Sequence, residues 1–114
     1  MFLYLRTIIY AAPDLAATKA WYAETFGIQP YFDERFYVGF SINGFELGLD
    51  PNQKPSGATG PVVYWKVADI QTAHAHLLSK GAAQLTGIQE VGGGIQVATV
   101  IDPFGNQVGI IQEN

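Results

Sequence analysis

The chain has no cysteine. That excludes a disulfide framework, a thiol nucleophile, an iron–sulfur cluster and a Cys-type zinc site. Charge is scarce as well, with Asp, Glu, Lys and Arg making up only 14% of the 114 residues. Six cations against ten anions leave a net charge of −4, so no basic surface stands ready to grip a phosphate backbone and no nucleic-acid partner is expected. Long apolar runs are missing too. The opening MFLYLRTIIYAAPD is interrupted by Arg6 and closed by Pro13-Asp14. It lacks the basic end of a signal peptide and falls short of the roughly 20 apolar residues of a spanning helix, so no membrane contact and a cytoplasmic location are expected. What the chain does contain is hydrophobic residues at 48% and aromatic residues at 13%, which excludes intrinsic disorder. The length suits a single compact domain over residues 1–114.

Punctuation along the chain predicts the elements. Residues 3–11 are β-branched and aromatic and read as a strand. Asp14 is placed to cap a helix whose Leu15, Thr18, Tyr22 and Phe26 fall near one face, and Gly27 is placed to end it. Short strands follow over 29–33, 36–42 and 45–49, the last two joined by Asn43-Gly44, a strong hairpin signal. DPNQKPSGATGP then forms a linker, separating a first module of about residues 1–50 from a second over 61–114. The second module repeats the first. A strand over 61–67 precedes a helix capped by Asp69, with Ile70, Ala73 and Leu77 on its apolar face and Gly81 at its end. Strands over 84–90, 95–101 and 107–112 complete it. The chain is thus read as α+β: strand, helix and three strands, twice over.

Familiar catalytic patterns are not met. His74 and His76, two apart on one helix, project about 200° from each other and cannot converge on a metal. Gly92-Gly93-Gly94 neither opens a helix nor carries the Lys of a phosphate loop, and reads as a hairpin.

Three stretches carry a resemblance: APDLAATKAWYAETFGI, VADIQTAHAHLLSKGA and the ending VIDPFGNQVGIIQEN. They are similar to the vicinal oxygen chelate superfamily, which includes glyoxalase I, extradiol dioxygenases and bleomycin resistance proteins. The resemblance implies two βαβββ modules forming a curled, cup-shaped mixed sheet with helices on the outer face, assembled as a homodimer. It also implies a divalent metal in the cup, held from four strands. Carried onto this chain, the four ligand positions are Thr7, Glu46, Val62 and Gly109. Only Glu46 can donate usefully to such an ion, and a shift of one residue on the other strands supplies no further ligand. No metal and no other cofactor is therefore expected.

Strand alternation from those positions sets the expected lining. It places Thr7 and Glu46 on the cup face of the first module, and Tyr64, Lys66, Thr99 and Gln107 on that of the second, with Tyr37 adding ring surface near the mouth. Trp65 is expected on the helix side. Glu46 reads as a general base, as an anchor for a cationic ligand group, as an exposed hairpin residue, or as the remnant of an ancestral metal site, with Lys66 or the more distant Arg35 as its partner. Most of Tyr31, Phe32, Phe36, Tyr37, Phe40 and Phe45 are expected in a core or dimer interface. The favoured function is metal-independent binding of a small amphipathic or planar molecule at a dimer interface. The alternative is a glyoxalase-like lyase or isomerase acting on a small carbonyl compound, with Glu46 as base and Tyr64 or Lys66 stabilising an enolate. A bare interaction module is a third possibility.

Overall fold

The structure, a computed structural model, describes residues 1–114. It is α+β, with two helices and eight strands in two four-stranded mixed sheets, one per module. The chain divides into compact units at 1–55 and 56–114, inside the stretch DPNQKPSGATGP. No helix is long and apolar enough to cross a membrane.

The first unit contains β1 (Thr7–Ala11), α1 (Leu15–Phe26), β2 (Phe32–Glu34), β3 (Tyr37–Ile42) and β4 (Phe45–Asp50). Asp14 starts α1 by accepting a hydrogen bond from the Ala17 amide at 3.1 Å. Gly27 stops it in the left-handed region at φ 68°, where a side chain would be strained. The strands lie in the order β1-β4-β3-β2, with β1 parallel to β4 and the other pairs antiparallel. Register puts Tyr10, Val38, Phe40, Leu47 and Leu49 on one face, where they are buried together with Thr18 and Tyr22 of α1. Tyr10 and Tyr22 stack with ring centres 5.5 Å apart. Leu15 and Phe26, at the helix ends, are only half-buried.

Strand β1 begins at Thr7, four residues later than the β-branched and aromatic content suggests. Thr7 pairs with Glu46, and the Arg6 carbonyl still accepts from the Glu46 amide at 2.9 Å. Beyond that point the partner strand turns away through Asn43 and Gly44, both at positive φ, so Met1 to Leu5 find no ladder and stand exposed.

The second unit contains β5 (Tyr64–Lys66), α2 (Ile70–Ser79), β6 (Ala83–Gly92), β7 (Ile95–Ile101) and β8 (Gln107–Gln112), with its sheet in the order β5-β8-β7-β6. Asp69 caps α2 through the Gln71 amide at 3.1 Å. Ile70, Leu77, Ala98, Val100, Val108 and Ile110 form the core beneath the helix, and Trp65, level with Ile110, shares that face. His76 is exposed and His74 half-buried, on different sides of α2. The three consecutive glycines turn β6 into β7 with φ of 114°, 62° and 79°, so they make a hairpin.

The turn Asp102-Pro103-Phe104-Gly105-Asn106 is built on a buried carboxylate. Asp102 Oδ1 accepts from the Phe104 and Asn106 amides at 2.8 Å each, and Oδ2 accepts from Asn106 Nδ2 at 3.0 Å. Both polar residues are at most 4% exposed, so this motif holds a tight reversal between β7 and β8.

Candidate functional site

The face of the first sheet turned away from α1 carries Thr7, Ile9, Tyr37, Gly39, Ser41, Glu46 and Gly48. Glu46 lies in the middle of it and is only 8% exposed. A carboxylate this deep needs partners, and it has three. The Tyr31 hydroxyl donates to Oε1 and the Tyr37 hydroxyl donates to Oε2, both in short contacts. Arg6 Nη1 stands 3.6 Å from Oε2 and donates to Thr7 Oγ1 at 2.7 Å.

Two glycines make room for this arrangement. Gly39 and Gly48 are paired across β3 and β4. A Cβ on Gly48 would run into the Tyr37 hydroxyl and lie 2.6 Å from its Cζ. One on Gly39 would sit 3.2 Å from Tyr31 Cε1. The phenol rings therefore rest on bare backbone, and their hydroxyls reach the carboxylate two residues along each strand.

The electrostatics follow from the contacts. Burial pushes the Glu46 carboxyl up, but the hydrogen bonds from Tyr31 and Tyr37 and the Arg6 charge together outweigh it and hold it below the usual carboxylate range. Tyr37 is raised well above its ordinary 10.0, first by burial and then by its bond to the carboxylate. Tyr31 is raised chiefly by its own bond to Glu46. At neutral pH the cluster therefore holds one carboxylate, one guanidinium and two neutral phenols. A carboxylate stabilised in this way is a weak base, which counts against a proton-abstracting role.

Of the residues singled out in the sequence, Thr7, Tyr37 and Glu46 are brought together here. Glu46 is not an exposed hairpin residue, and its cation is Arg6. Lys66 faces Glu113 at 4.0 Å, and Arg35 lines a separate cleft with Leu15, Lys19 and Asp33. Tyr64, Lys66, Thr99 and Gln107 share the face of the second sheet opposite α2. Tyr64 lies over Gly109, where a Cβ would come within 2.7 Å of its ring. Thr99 is committed to Thr86, with hydroxyls 2.7 Å apart, and Gln107 Oε1 is buried without a hydrogen-bond partner.

Sequence reasoning missed Tyr31 and Arg6. Of the aromatic cluster only Phe40 is core; Phe32, Phe36 and Phe45 are exposed, and Tyr31, also exposed, serves the site. Glycine at two facing positions beside Glu46 was the available signal, because such a gap in a sheet face invites a ring from elsewhere.

The donor set does not fit a divalent metal of the kind the resemblance implies. Thr7, Val62 and Gly109 offer no carboxylate or imidazole, and no three His, Cys, Asp or Glu side chains converge anywhere in the chain. Both oxygens of the one suitable side chain already accept phenol protons.

Solved structures share this architecture. A glyoxalase-related enzyme from Fulvimarina pelagi superposes with a TM-score of 0.80 at 21% identity, over 98% of this chain and 89% of that one. A glyoxalase/bleomycin resistance protein/dioxygenase family enzyme from Burkholderia phytofirmans gives 0.82 at 16%, over 98% and 100%. Lactoylglutathione lyase from Agrobacterium tumefaciens gives 0.76 at 17%, over 98% and 95%. Identities this low establish the fold and leave the chemistry to the residues. No curated protein matches the chain. The family profile nevertheless covers residues 5–110, and the chain belongs to the Glyoxalase/Bleomycin resistance protein/Dioxygenase superfamily.

Proposed function

We propose that this chain binds a small amphipathic or planar molecule without a metal ion, on the face of its first sheet turned away from α1, as a homodimer. The observation that carries the reading is the Tyr31–Glu46–Tyr37 cluster. At the one position where this chain could offer a strong metal ligand, the carboxylate is occupied in holding two aromatic rings. Rings fixed in this way present flat apolar surface with little conformational freedom left to lose, which favours binding. Arg6, Tyr31, Ser41, Phe45 and Glu46 line a cavity of about 180 Å³ beside them. Support for the homodimer comes from the exposed apolar residues Met1 to Leu5 and from β1, whose outer edge is unpaired.

The low basicity of Glu46 weighs against the lyase or isomerase alternative. Fluorescence titration with a panel of planar aromatic compounds tests the proposal, run before and after exhaustive chelation. Saturable binding unchanged by chelation is the expected result. Binding that disappears with the chelator and returns with a divalent salt would overturn it, as would a panel in which nothing binds.

A further inference from the structure

Resting on that reading, we infer that the ligand is an aromatic carboxylate, with its acid group on Arg6 and its ring against Tyr31. The free hydrogen-bonding capacity of the cluster decides the sign of the ligand. Glu46 cannot easily anchor a cation, because each oxygen already accepts a phenol proton and Arg6 sits 3.6 Å from one of them. An incoming cation would have to displace Arg6 or share its place. Arg6 is in the opposite condition. A guanidinium carries five N–H donors in a planar fork. The guanidinium is engaged with Thr7 and with the Tyr31 hydroxyl and faces Glu46, yet 67% of the side chain is exposed and donors remain. A carboxylate matches the remaining fork in shape and charge, and such paired contacts are stronger than those of a neutral group.

The surroundings fit the rest of the molecule. Tyr31 is 60% exposed and Phe45 is 47% exposed, and both line the cavity of about 180 Å³ into which Arg6 projects. That volume admits an acid group with one or two fused rings. The negative charge of Glu46 does not exclude the acid, because Arg6 balances it and the two phenol hydrogen bonds occupy its oxygens.

The test compares three 2-naphthyl compounds of nearly one shape by calorimetric titration of the full chain: the carboxylate, the carboxamide and the methylammonium. The carboxylate is expected to bind about tenfold or more tightly than either of the others. Arg6→Gln should lower the carboxylate's affinity about tenfold or more and the carboxamide's by much less, so that the advantage disappears. Equal or tighter binding of the carboxamide or the ammonium would overturn the inference while leaving metal-free binding intact. A carboxylate preference that survives Arg6→Gln would also overturn it. Failure of all three to bind would count against both.

Discussion

At the scale of single residues, the cluster around Glu46 ties a pH dependence to a geometry. The folded carboxyl is held below its ordinary 4.5, so its contribution to stability is full above that value and is lost as pH falls through the depressed one. The Tyr37 phenol works in the opposite sense. Its folded value is raised, so its contribution is intact below the ordinary 10.0 and declines as pH climbs beyond it. Tyr37→Phe removes one donor from the carboxylate and should move the Glu46 titration upward, as read by carbon-detected NMR of its side-chain carboxyl. Gly48→Ala should do the same, because the added methyl occupies the place of the Tyr37 hydroxyl end. A Glu46 titration unmoved in both variants would mean that the phenols do not hold the carboxylate. The cluster was only partly legible in the sequence. Glu46 and Tyr37 follow from strand alternation, which is local. Tyr31 falls inside the stretch 29–33 read as a strand but precedes the observed β2, and it reaches its partner through the pairing of β2 with β3 and of β3 with β4. Arg6 looked like an interruption in an apolar stretch, because the approach of its side chain to Glu46 depends on a parallel pairing across forty residues.

At the scale of elements, punctuation in the sequence marks element ends wherever the local chemistry is strict. Asp14, Gly27, Asn43-Gly44 and Asp69 each sit where a cap or hairpin demands that residue type. Strand ends were less legible, since they depend on where the partner stops. β5 shrinks to Tyr64–Lys66 against an expected seven residues, pairing with Gly109 to Ile111 although β8 runs from Gln107 to Gln112. The ending Asp-Pro-Phe-Gly-Asn, the motif most specific to the resemblance, is structural. Asp102→Ala would remove the acceptor of the buried Asn106 amide and of the half-buried Phe104 amide, and an unsatisfied buried group costs roughly 1–3 kcal/mol. Urea denaturation should show a loss of at least that order, with ligand affinity per folded molecule unchanged. A loss indistinguishable from zero would contradict this account of the turn.

At the scale of the whole molecule, family membership and donor set pull in different directions, and the donor set decides the chemistry. A superfamily fold hosts many functions, and the function resides in the side chains placed on it. Here Thr7, Val62 and Gly109 stand at positions from which the resemblance expects metal ligands, and the remaining carboxylate is turned to holding tyrosines. Metal sites need several deprotonated donors at once, and their affinity collapses when most are missing. The most direct test is elemental analysis of the purified chain after equilibration with nickel, zinc, manganese and ferrous salts and removal of free ions. The account predicts no divalent metal retained at a stoichiometric level, and no change in thermal midpoint on adding any of them. A stoichiometric ion that raises the midpoint, and is lost in Glu46→Gln, would contradict it.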